Sequence, residues 1–131
     1  MDIEYLDLRD DANEIVRASL PDSYVQAAAS QLERTYGYSS FRPGQLEAVT
    51  SILSGHDLIA VMPTGSGKSV CYQLPATRPG SFTLVITPLR ALMRDQVQAL
   101  QGRHVRAAFI DSGISSAQRQ SIYAGVKAGE I

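Results

Sequence analysis

Apolar positions recur at helical spacing in some stretches of the chain and close up into short continuous runs in others. Val25, Ala28, Ala29 and Leu32 share one helical face, which predicts a helix capped by Asp22 or Ser23, running through Tyr36 and stopped at Gly37. A shorter helix is expected over Asp10–Ser19, ending before Pro21. Another is predicted over Pro43–Leu53, with proline in its first turn, Gly55 just past its end, and Leu46, Val49, Ile52 and Leu53 facing inward. The runs Leu58–Val61, Phe82–Ile86 and Ala107–Ile110 read as buried strands. Each run leads into a helix: one from about Lys68, broken by P-A-T-R-P-G, one over Ala91–Leu100, and one capped by Ser115 or Ser116 and reaching about Ala128. Strands alternating with helices predict an α/β fold with a mostly parallel sheet flanked by helices.

A length of 131 residues suits one domain, and 44% apolar content supports a packed core and excludes global disorder. The apolar stretches at 57–62 and 82–86 are far below the roughly 20 residues that cross a bilayer. The start, M-D-I-E-Y-L-D-L-R-D-D, is acidic where a targeting peptide is basic. A cytoplasmic location is the expectation, with nucleoid association in a bacterium. Cys71 is the sole cysteine, so an internal disulfide is excluded, and neither His56 nor His104 stands at metal-ligand spacing.

The net charge of −1 conceals an asymmetry. Residues 1–33 hold eight acids against Arg9 and Arg17, a net of −6, whereas residues 34–131 hold ten basic residues and five acids, a net of +5. A basic body is compatible with nucleotide or nucleic-acid partners, although charge alone reads more simply as a solvated surface.

Candidate chemistry centres on T-G-S-G-K-S, residues 64–69, set between a predicted strand and a predicted helix. Gly65 and Gly67 let backbone N–H groups approach an anion, and a helix N-terminus adds a favourable dipole. Thr64 and Ser66 complete the loop, Lys68 reaches the outer phosphates, and the Ser69 hydroxyl is the candidate Mg²⁺ ligand. The strict phosphate-loop pattern places glycine where Met62 stands, so the motif departs from it at its first position.

Three blocks together resemble the RecQ family of ATP-dependent DNA helicases, within helicase superfamily two: Y-G-Y-S-S-F-R-P-G-Q (36–45), V-M-P-T-G-S-G-K-S-V-C-Y-Q-L-P-A (61–76) and I-T-P-L-R-A-L-M-R-D-Q-V (86–97). That superfamily often carries a non-glycine residue at the Met62 position. The resemblance implies the N-terminal part of a RecA-like P-loop domain at residues 36–131, after an acidic helical lead-in at 1–35. It implies ATP with Mg²⁺ as cofactors, DNA as partner, and Lys68 as a catalytic residue. Tyr38, Arg42 and Gln45 match the adenine-recognition block; an aromatic face offers stacking area, and a glutamine amide offers a donor and an acceptor to the adenine edge. Without the resemblance, Tyr38 reads as a core aromatic and Gln45 as a helix-surface residue. Phe41, Cys71 and Tyr72 read as packing residues. Thr87, Pro88, Leu89, Arg90 and Arg94 match the segment that touches single-stranded DNA, through contacts that position a backbone without reading bases.

Cleavage of ATP also requires the family's Asp-Glu-x-His motif, whose acids hold the metal and orient water. No such run occurs in the 131 residues, and Asp111, which follows the run Ala107–Ile110, lacks a following glutamate and is a poor metal candidate. The expectation is therefore a partial motor domain, ending before that motif and lacking the second RecA-like domain. Such a chain would bind ATP and DNA without hydrolysing the one or unwinding the other. Two alternatives stand beside it: a standalone non-catalytic module binding nucleotide or DNA, and, less well supported, a small P-loop kinase.

Overall fold

A computed structural model describes residues 22–131, which form five helices: α1 (Asp22–Tyr36), α2 (Gln45–Leu53), α3 (Lys68–Ala76), α4 (Arg90–Gln101) and α5 (Ser116–Lys127). The helix expected over Asp10–Ser19 lies outside these residues. The backbone divides into two compact units, the first running to Thr83 and the second from Leu84 to Ile131.

In the first unit α1, α2 and α3 pack on one another. Their contact is made by Ala28 and Leu32 of α1, Val49 of α2, and Val70 and Leu74 of α3, with Tyr36, Phe41, Leu46 and Leu53 packed around them. Leu32, Val49 and Leu74 are fully enclosed. Each such side chain contributes about 1.5–3 kcal/mol by leaving water, against about 0–1 kcal/mol for an exposed ion pair. The apolar cluster therefore outweighs any surface pairing in holding these helices together. Two polar bonds tie α1 to α3 and its C-cap: the Tyr36 hydroxyl donates to Gln73 Oε1 (3.0 Å), and Gln31 Nε2 donates to Thr77 Oγ1 (2.6 Å).

Helix ends follow local chemistry. Gly37 adopts φ 70° and its amide closes on the Glu33 carbonyl at 2.8 Å, which terminates α1 where the sequence places the stop. Pro75 is tolerated because α3 ends one residue later, at Ala76. Ser115 caps α5 through a reciprocal box: its Oγ accepts from the Gln118 amide, and Gln118 Oε1 accepts from the Ser115 amide.

The expected sheet is not found among the described residues, which contain no strand. Leu58–Val61, Phe82–Ile86 and Ala107–Ile110 are irregular, and the apolar side chains meant to be buried include Val61 at 82% and Ile86 at 89% exposure. The physical reason is that a strand exists only as a member of a ladder. β-branched, apolar composition supplies the propensity, but the hydrogen bonds and the covering faces come from partners distant in sequence. No helix among the described residues is long and apolar enough to cross a membrane.

Candidate phosphate-loop and nucleic-acid sites

Residues 63–67 form a turn that feeds directly into α3. Gly65 (φ 80°) and Gly67 (φ 82°, ψ 34°) both take the left-handed conformation, and Gly67 is the N-cap of α3. The dihedral demands glycine at 67, and a Cβ there would also stand 2.5 Å from Gln45 Nε2 and displace that amide. Lys68 is thus the first residue of the helix, where orphan N–H groups and the dipole favour an anion. Its exposed ammonium donates to the carbonyls of Met62 and Pro63, both at 2.9 Å. The lysine that would hold phosphate is folded against the loop's own backbone.

Met62 accounts for itself in the packing. Its sulfur lies 3.8 Å from the thiol of Cys71 on the underside of α3, so the side chain braces the loop against its helix. Burial pushes the Cys71 thiol above its ordinary value, and the charge of Glu47 pushes the same way. Ser69 Oγ accepts from the Tyr72 hydroxyl at 3.4 Å, and the enclosed Ser66 Oγ has no hydrogen-bond partner.

The block before α2 is stitched to this loop. Arg42 donates from its guanidinium to the Gly65 carbonyl (2.9 Å), while Gln45 Nε2 donates to the carbonyls of Ser66 (3.3 Å) and Gly67 (2.9 Å). Gln45 Oε1 accepts from the Arg42 amide at 2.9 Å, and the residue is only 3% exposed. Gln45 is therefore not the helix-surface residue that the pattern alone suggested; its amide braces two loops. Tyr38 is half exposed and stacks on Tyr36 with ring centroids 5.8 Å apart, leaving ring area open to solvent. Phe41 packs against the core.

The second unit holds the other candidate residues. Thr87, Pro88 and Leu89 lead into α4, with Thr87 Oγ1 accepting from the Leu89 amide at 3.4 Å. Arg90 and Arg94, one turn apart on α4, converge on Asp111 Oδ2 at 3.1 and 2.9 Å. The Gly113 amide donates to the other carboxylate oxygen at 2.7 Å, and Arg94 lies 5.5 Å over the Phe109 ring. The Gly113 amide, then the two guanidiniums, hold the Asp111 carboxyl below the usual carboxylate range against the opposing effect of its own desolvation. It stays ionised at neutral pH. Sequence reading weighed Asp111 only as a metal ligand; its partnership with arginines 17 and 21 positions earlier is a tertiary fact with no local signature.

A groove of about 580 Å³ in the first unit, lined by residues that include Tyr24, Gln31, Arg34 and Arg78, contains none of the loop residues.

A model of the DEAD/DEAH box helicase family matches residues 42–128. The chain belongs to the DEAD/DEAH box helicase family. That membership carries a RecA-like P-loop fold, and the match covers Arg42, Gln45, the loop and α4, while Tyr38 lies before it. The chain is 43% identical over 104 residues to the ATP-dependent DNA helicase RecQ of Haemophilus influenzae, covering 79% of this chain and 17% of that protein. Against the ATP-dependent DNA helicase Q4 of Mus musculus it is 47% identical over 118 residues, 87% of this chain and 9% of the relative. Against the probable ATP-dependent DNA helicase RecS of Bacillus subtilis it is 46% identical over 92 residues, 70% of this chain and 18% of the relative. These similarities bear out the resemblance to RecQ-type helicases and mark the chain as a helicase by family.

Proposed function

We propose that this chain is the ATP-binding and single-stranded-DNA-contacting portion of a RecQ-like 3′-to-5′ DNA helicase. In this reading residues 36–131 are the N-terminal part of a RecA-like motor domain, and residues 1–35 are its acidic lead-in. The three apolar runs become strands of a mostly parallel sheet once neighbouring strands pair with them. The observation that carries the reading is the bonding of Arg42 and Gln45 to the carbonyls of Gly65, Ser66 and Gly67, which makes the adenine-side block and the phosphate loop one object.

The residues fit a magnesium nucleotide. Two left-handed glycines open the loop, α3 begins at Lys68, and the Ser69 hydroxyl stands at the helix start for the metal. Lys68 exchanges its two carbonyl bonds for phosphate oxygens, a charge-assisted pairing stronger than the neutral contacts it leaves. Tyr38 offers its exposed face to the base, and Arg42 and Gln45, bonded to the loop carbonyls, contact or position the adenine edge, which sets ATP apart from GTP. Bound Mg²⁺ supplies neutralisation of the phosphate charge. The 131 residues contain no Asp-Glu run to activate water, so the chain by itself binds ATP without cleaving it.

Titration calorimetry in magnesium buffer tests this. ATP is expected to bind more tightly than GTP, and Lys68→Ala to weaken ATP by about 100-fold, as loss of a charged phosphate contact does. Equal affinities for ATP and GTP, or an unaffected Lys68→Ala variant, would overturn the nucleotide assignment.

A further inference from the structure

Asp111 is the one charged side chain that is buried among the described residues, yet nothing in the phosphate-loop chemistry uses it. Its carboxylate is 2% exposed, while the two arginines that meet it remain 56% and 54% exposed. Both guanidiniums converge beside Gly113: a Cβ built there would stand 2.9 Å from the Arg90 tip, 3.2 Å from Asp111 Oδ1 and 3.7 Å from the Arg94 tip. Two like charges so close repel each other unless an anion lies between them. The Gly113 amide pins that anion from one side, and the Phe109 ring supports Arg94 from another.

We propose that Asp111 is a positioning residue for single-stranded DNA, holding Arg90 and Arg94 side by side so that their outward N–H groups meet the phosphate backbone already oriented. This rests on the reading of the α4 segment as a DNA contact. An arginine carries five donors in a planar fork, so each retains N–H groups for phosphate while its others are held by the carboxylate. Long exposed side chains otherwise lose rotamer freedom on binding, and the buried carboxylate imposes that loss before DNA arrives. The sign of the effect separates positioning from simple charge. Removing an acid beside a phosphate site raises affinity on electrostatic grounds alone, because attraction and counterion release both favour the more cationic protein. Positioning demands the opposite.

The test is fluorescence anisotropy with the 131-residue chain and labelled oligothymidylate of about 20 nucleotides, ample for a single-strand groove. Asp111→Asn keeps the shape and removes the charge; it is expected to weaken binding about tenfold, the loss of one set of charge-assisted contacts. In the background Arg90→Lys/Arg94→Lys, which keeps both charges on exposed side chains but removes the forks, the same change is expected to cause no loss and to tighten binding slightly, since only the electrostatic effect remains. Asp111→Asn binding as tightly as wild type, or more tightly, overturns the proposal. So does an equal loss in the lysine background, since Asp111 would then act through the fold. If Arg90→Ala/Arg94→Ala binds as well as wild type, the DNA-contact reading itself fails and takes this inference with it. A loss in that variant without one in Asp111→Asn refutes the positioning alone.

Discussion

Gln45 does more for the candidate site than its exposure would have promised. One side-chain amide satisfies the Arg42 N–H and the Ser66 and Gly67 carbonyls, all in a nearly closed space. Leaving such groups unpaired costs about 1–3 kcal/mol in a buried setting. Gln45→Ala is therefore expected to lower stability by about that amount, read from urea unfolding, and to loosen the loop. An unchanged midpoint would show that the bonds carry no weight. The adjoining Gly67 has a double constraint, dihedral and steric, whereas Gly65 has only the first. The loop pattern in the sequence singled out two glycines that both take the left-handed conformation, but could not tell which one stands against another side chain.

Helices were legible because their determinants are local. Ala28 and Leu32 of the expected face are buried, although Ala29 is exposed, and the stop at Gly37 and the cap at Ser115 stand where the pattern placed them, the reciprocal bond from Gln118 being an addition. Strands were not legible in this sense, since Phe82–Ile86 states a propensity and its pairing depends on segments elsewhere. The end of α4, at Gln101, falls within one residue of the expected Leu100, but the turn that follows it had no signal in the pattern. His104 occupies the left-handed region at φ 59°, where the Gln101 carbonyl takes its amide at 2.9 Å and the Leu100 carbonyl takes that of Val105 at 3.0 Å. A residue with a Cβ is strained there by roughly 1–2 kcal/mol, while glycine gives back part of that in unfolded-state entropy. His104→Gly should accordingly stabilise the protein by about 0.5–1 kcal/mol, measured by thermal unfolding; a lower Tm would mean that His104 has a compensating contact.

At the scale of the molecule, the family match runs through both units, while the described residues build their helical core in the first. That core presents the loop: Val70 and Leu74 anchor α3, Val49 anchors α2, and the Arg42 and Gln45 bonds lock the two helix starts together. The platform is thus in place before any nucleotide is considered. The chain nonetheless spans only 9–18% of the three relatives compared, so unwinding as an activity of the whole protein is a proposal about more than these residues.

The account depends most on the loop between Pro63 and α3 being the seat of a triphosphate. A backbone amide NMR titration with magnesium ATP reads this residue by residue. The predicted result is that the largest shifts fall on Gly65, Ser66, Gly67, Lys68 and Ser69, and that Lys68→Ala abolishes them while the signals of Leu32 and Val49 stay in place. Loop amides that do not move while ATP shifts signals elsewhere, or a loop response indifferent to Lys68, would contradict it.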